Sequence, residues 1–112
     1  MYKIFHTERF DKELSKHFSK EEIKEIDNFE RKQLIENPYV GDPLSYQFFR
    51  EKKVGGKRVY YLVYDELKAV LIVGISDKKT QQETIDQIKS RLKEYYVVIK
   101  EAIKQHAEYD RV

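Results

Sequence analysis

The chain has 112 residues, with 22 Lys and Arg set against 20 Asp and Glu, and no cysteine. That length fits a single domain with one modest core, and the missing cysteine excludes disulfides, thiol nucleophiles and cysteine-based metal sites. No run reaches the roughly 18 apolar residues that a membrane span needs, and M-Y-K-I-F-H-T-E lacks the apolar stretch of a secretory leader. A cytoplasmic protein with no membrane partner is therefore expected. His6, His17 and His106 stand far apart without metal-ligand spacing, and no cofactor is implied. A charged fraction of 38%, carried mainly by Lys and Glu, is the bias reported for hyperthermophile proteins.

Residues 2–6 alternate well enough for a short strand, and Thr7 can cap a helix carrying Phe10, Leu14 and Phe18 on one side. Ser19 and Glu22 form a capping-box pair, in which each side chain satisfies a free backbone N–H at a helix start. The helix they open turns Ile23, Ile26, Phe29 or Glu30, and Leu34 inward. Asn37-Pro38 ends it, because the residue before proline is pushed out of helical geometry. Residues 38–45 hold both prolines and read as a loop.

Strands follow over residues 46–53 and 57–64, joined by Val54-Gly55-Gly56 as a hairpin turn. Asp65-Glu66 is a second turn, and residues 67–75 form the most apolar strand, placed inside the sheet because residues 70–73 are apolar on both faces. Thr80 and Glu83 repeat the capping-box pattern. Ile85, Ile88, Leu92, Tyr95, Ile99, Ala102 and His106 then recur at heptad spacing. The pattern predicts one long C-terminal helix over residues 80–108, roughly 40 Å at about 1.5 Å per residue, in a domain about 30 Å across. Such a helix overhangs, folds back, or buries its seam on another chain; its length favours a homo-oligomer joined through the C-terminal helix. The expected fold is α+β: one domain over residues 1–112, with a small antiparallel sheet and helices on one face.

The positive charge is concentrated. Arg50, Lys52, Lys53, Lys57 and Arg58 surround the two-glycine turn with Glu51 as the one acid, a formal +4 against +2 for the whole chain. A cationic hairpin leading into V-Y-Y-L-V-Y suits a phosphate backbone. It equally suits a solvated turn that protects an edge strand from aggregation.

The element order, strand, helical hairpin, three-stranded meander and C-terminal helix, resembles the RelE/ParE superfamily of toxins from toxin–antitoxin systems. Glu36-Asn37-Pro38 with Gly41-Asp42-Pro43-Leu44 is similar to that family's N-P-x-x-G-x-P-L passage. Lys57-Arg58-Val59-Tyr60-Tyr61 is similar to its Y-R-V-x-Y strand, and residues 72–79 (I-V-G-I-S-D-K-K) to its V-x-x-I-x-H/D-R-K/R. The likeness covers about residues 2–85. It implies a metal-independent endoribonuclease that cleaves mRNA on the ribosome, and a cognate antitoxin as partner. By position it implies Arg58 as the phosphate-binding arginine, Arg50 and Lys52 as the basic residues of the preceding strand, and Lys79 as the basic residue after the last strand. Lys53, Lys57, Lys78 and Tyr60 would contact RNA, with Tyr60 stacking on a base or standing in for a missing phenol.

One position departs from the pattern. Where RelE-type enzymes carry a tyrosine beyond the basic residue, this chain has Ile85, which also starts the heptad seam. That departure implies an alternative: a catalytically degenerate member of the fold, acting through protein–protein contact as ParE-type members do or self-associating through its last helix.

Overall fold

Strand β1 (Lys3–His6) finds its partner far down the chain, pairing in parallel with β5 (Ala69–Asp77). In the computed structural model, which describes residues 1–110 and side chains through residue 106, β5 then pairs antiparallel with β4 (Lys57–Tyr64). Next come β3 (Phe49–Val54) and the two-residue β2 (Asp42–Pro43), completing the sheet order β1-β5-β4-β3-β2. The expected α+β element order is present, and β5 is an interior strand as its apolar run requires.

Between β1 and β2 lie α1 (Glu8–His17) and α2 (Lys20–Phe29). Both start as their sequences dictate. Thr7 accepts a hydrogen bond from the Phe10 amide at 3.1 Å, and Ser19 and Glu22 exchange theirs at 3.2 and 2.9 Å. Helix α2 runs into one π-helical turn (Glu30–Leu34) before Asn37 and Pro38 stop it.

These helices cover one face of the sheet: Phe10, Phe18, Ile26 and Phe29 pack on Val59, Tyr61, Val63, Val70 and Ile72. The opposite face is covered too, by α3 (Gln81–Ser90) and α4 (Leu92–Asp110), where Ile85, Ile88 and Ile99 meet Phe49, Tyr60, Leu62 and Leu71. The expectation of helices on one face is thus corrected. Strands apolar on both sides need two layers of cover, and burial of each of those isoleucines contributes about 2 kcal/mol.

That second layer exists because the C-terminal segment is two helices. Arg91 leaves helical geometry at φ −118°, ψ 18°, and α4 beyond it packs on the sheet. Ile99 is fully buried there, and His106 sets its ring edge against Phe5 at 6.2 Å. The seam finds its cover within the chain, so the length argument for a homo-oligomer no longer applies. Thr80 does not form the second capping box. Its hydroxyl donates to the Asp77 carboxylate at 3.0 Å, and its amide to the same oxygen at 2.9 Å, locking the β5–α3 turn instead.

A bulge separates the two halves of β5. Tyr61 is opposite Ile72 and Tyr60 opposite Gly74, leaving Val73 without a partner on β4. Before the bulge Leu71 and Val73 face α3 and α4. Beyond it the alternation is inverted, and Ser76 comes to Tyr60 on that same side. Among the described residues, no helix is long and apolar enough to cross a membrane.

Candidate active site

The β3–β4 hairpin turns at Gly55, whose φ of 60° lies in the left-handed region that glycine adopts without strain. The turn fixes the register: Lys53 opposes Arg58, Lys52 opposes Val59 and Glu51 opposes Tyr60. Strand alternation then divides the cationic hairpin. Glu51, Lys53, Arg58 and Tyr60 face α3, whereas Arg50 and Lys52 face α1 and α2. Because Arg58 opposes Ser76 and Lys57 opposes Asp77 on β5, the β5–α3 turn carrying Lys78 and Lys79 lies at the same end of the sheet. Lys53, Lys57, Arg58, Lys78 and Lys79 are therefore gathered at one end of the sheet, where Lys53, Lys78 and Lys79 are exposed and Lys57 and Arg58 half-buried.

Arg58 is the centre of this group. Its side chain is only 14% exposed, and its Nε lies 3.7 Å from Oε2 of Glu51, a residue buried beneath it. That spacing balances charge but is too long for a hydrogen bond, and among the described residues Arg58 Nε is a buried donor with no acceptor. Glu51 is held from the other side by the Gln81 amide, which donates to Oε2 at 3.2 Å from the first turn of α3. The result is a positioned guanidinium with an unfilled donor, under a rim of lysines. Arginine suits such a place because its planar fork matches phosphate oxygens and stays charged.

Tyr60 lies beside this pair but is fully buried, its hydroxyl 2.7 Å from Ser76 Oγ and its ring tilted against Phe49. Burial pushes its pKa above the ordinary tyrosine value, with Glu51 adding to the rise, while Ser76 and Arg58 oppose it. A phenol so enclosed has no free face for a base, so the expectation of stacking by Tyr60 is corrected.

Arg50 and Lys52 are set apart from Arg58. Arg50 is buried and gives its donors to main-chain carbonyls: Tyr39 at 2.8 Å, Gly41 at 2.7 Å and Gln47 at 3.0 Å. It holds the 39–47 loop onto the sheet, and its guanidinium also lies 5.4 Å over the Tyr39 ring. Lys52 places its ammonium 5.2 Å over the Phe29 ring of α2. Ile85 is buried against the sheet, as its place in the seam requires.

Glu51, Gln81 and Ser76 were not among the residues singled out from the sequence. Glu51 had a readable signal: it is the lone acid in a cationic run, at the parity that a two-residue turn places beside Arg58. Ser76 had none, because its orientation depends on the bulge at Val73. Among the described residues, no group of three or more His, Asp and Glu side chains is arranged to hold a metal ion.

No protein-family model and no curated protein sequence matches this chain. Solved structures do. The RelBE2 toxin–antitoxin complex of Mycobacterium tuberculosis superposes with a TM-score of 0.58 at 22% identity, covering 69% of this chain and 98% of that one. The isolated E. coli RelE toxin gives 0.56 at 19%, covering 79% and 99%. An E. coli RelE double mutant bound to a peptide of its antitoxin RelB gives 0.57 at 19%, covering 74% and 93%. The similarity is one of architecture over nearly the whole of those proteins, and the chain has the fold of the RelE toxins.

Proposed function

We propose that this chain is the toxin of a toxin–antitoxin pair and cleaves RNA around Arg58. The observation that carries the proposal is the buried Arg58 Nε, charge-balanced by Glu51 yet without an acceptor among the described residues, at the cationic end of a RelE-type fold. A buried donor left open costs about 1–3 kcal/mol, and a phosphate oxygen entering there would recover it.

In the proposed reaction the RNA 2′-oxygen bonds to the adjacent phosphorus as the bond from phosphorus to the 5′-oxygen breaks. One proton leaves the 2′-oxygen and one arrives on the 5′-oxygen. Arg58 holds the phosphate and stabilises the added negative charge. Glu51, steadied by Gln81, is the carboxylate nearest that phosphate and takes the first proton. Lys79 supplies the second, and Lys53, Lys57 and Lys78 hold the flanking backbone. Arg50 and Lys52, expected from the family resemblance to neutralise charge or move protons, act here through folding. The RNA would be mRNA on the ribosome in the cytoplasm. The inhibitor would be an antitoxin whose acidic or amphipathic segment covers the cationic end and the last helix.

The experiment is to incubate the purified chain with mRNA on programmed ribosomes, beside Arg58→Ala. Cleavage by the wild type, lost in the variant, supports the reading; an inert wild type overturns it. A second reading is favoured by buried Ile85, which leaves the tyrosine of RelE-type enzymes without a counterpart at that position. On that reading the chain is catalytically silent and acts by binding a protein. Growth arrest that persists in Arg58→Ala, with mRNA intact, would select it.

A further inference from the structure

At the far end of β4 the surface changes character. Tyr64 lies six residues beyond Arg58, about 20 Å at the roughly 3.3 Å rise of a strand. Here Tyr39, Phe48, Tyr64 and Tyr96 line a hollow of about 310 Å³, with Asp65 and Glu66 among its walls. Phe48 and Tyr96 remain 37% and 42% exposed despite their size. Tyr64 and Tyr96 are inclined at 51° with centroids 6.0 Å apart. Tyr46 stacks on Phe48 at 5.0 Å, nearly parallel, and so braces that ring.

The walls are negative as well as aromatic. Asp65 accepts hydrogen bonds from the hydroxyls of Tyr2 and, at 2.5 Å, Tyr39, which fix its carboxylate and hold its pKa below the usual range. Burial, then the Asp65 hydrogen bond, lifts the Tyr39 phenol to about 12. Burial, then Glu66, raises Tyr64. The phenols therefore stay neutral and their rings keep electron-rich faces. Lys68 does not line the hollow; its ammonium sits 5.1 Å over the Tyr2 ring. Two rings of the hollow already take a cation from this chain, Tyr39 the Arg50 guanidinium at 5.4 Å and Tyr96 the Lys100 ammonium at 5.9 Å, so these rings suit that kind of contact. Electron-rich faces beside carboxylates attract cations and repel phosphate. Among the described residues no lysine or arginine lines the hollow itself, and Lys100 approaches it only over the Tyr96 ring.

We propose that this hollow receives a lysine or arginine side chain from a partner polypeptide, set between the Phe48, Tyr64 and Tyr96 rings with Asp65 and Glu66 as counter-charges. The inference is independent of RNA cleavage: it concerns the end of the sheet opposite Arg58 and stands whether or not the chain is a nuclease.

The test is a titration of the full chain, followed by NMR, with three probes: N-acetyl-arginine amide, N-acetyl-lysine amide and the uncharged N-acetyl-norleucine amide. The cationic probes should move the ring resonances of Phe48, Tyr64 and Tyr96 with affinities of about millimolar, as expected for one side chain. Glu66→Gln, an exposed change that leaves the packing intact, should weaken both by threefold or more, and Tyr96→Ala likewise. Equal shifts with norleucine amide would mean an apolar hollow without charge preference and would overturn the proposal. So would the absence of shifts at these rings, or binding that Glu66→Gln leaves unchanged.

Discussion

Arg58 and Glu51 meet on adjacent strands, Nε to Oε2 at 3.7 Å, close enough to neutralise each other and too far to share a hydrogen bond. Truncating Arg58 to alanine would strand the Glu51 carboxylate in a buried place, a loss of roughly 3 kcal/mol. Pairing Arg58→Ala with Glu51→Gln should return most of that stability in urea unfolding, because the stranded charge is gone. RNA cleavage should be absent from both. Recovery of cleavage in the double variant would remove Arg58 from the chemistry.

Arg50 invites a different expectation. Its guanidinium bonds three loop carbonyls from a buried position, so Arg50→Ala leaves those acceptors without a charged partner. We expect a loss of about 3–4 kcal/mol, visible as a markedly lower melting temperature by circular dichroism. Lysine should not rescue it, since one ammonium cannot span the same fork. A fully stable Arg50→Ala protein without RNA cleavage would return Arg50 to the active site.

The same loop is held by Tyr61. Its buried hydroxyl donates to the Pro38 carbonyl at 2.9 Å and accepts from the Gly41 amide at 3.0 Å. Tyr61→Phe should cost about 2 kcal/mol in equilibrium unfolding by leaving both groups unpaired. Gly41→Ala should be at least as costly, because its Cβ would lie 2.6 Å from the Glu51 carbonyl and 2.5 Å from the Tyr61 hydroxyl.

His6 gives a pH-dependent prediction. Burial lowers its pKa, but hydrogen bonds and charge from Glu30 at 2.8 Å and Asp11 at 2.6 Å outweigh that and raise it to about 9. The folded value exceeds the unfolded 6.5. The protonated ring therefore stabilises the fold in full below the unfolded value, and this contribution is lost as pH rises through about 9. It amounts to at most ~3 kcal/mol, reduced because Asp11 is well exposed. Stability measured between these limits should fall in the wild type and stay flat in His6→Gln, once changes common to both are subtracted.

Elements whose determinants lie within a few residues were legible. Thr7, the Ser19–Glu22 pair, Pro38 and the glycine turn each act over one helical turn or less, and each is found where the chain implied. Arg58 lies on the face opposite Val59, Tyr61 and Val63, as strand parity alone dictates. Arg50 and Lys52 were grouped with Arg58 by their place in the family resemblance, although strand parity sends them to the other face. The remaining differences are non-local. Nothing around Arg91 is a glycine or proline, so the heptad rhythm continues through a corner that only packing of α4 on the sheet defines. Thr80 met the capping-box pattern, but the carboxylate of Asp77 competes for its hydroxyl, and that competition depends on how β5 ends.

The parallel pairing of β1 with β5 has a consequence for synthesis. The first strand is made early, yet its neighbour in the sheet begins at Ala69, so the helical hairpin must emerge before β1 can join the sheet. During that interval Phe10, Phe18, Ile26 and Phe29 lack the part of their floor that β5 supplies, Val70 and Ile72. A nascent chain in this condition is exposed to chaperones and proteases until more than half of it has been translated, and slow translation ahead of Ala69 would lengthen the delay.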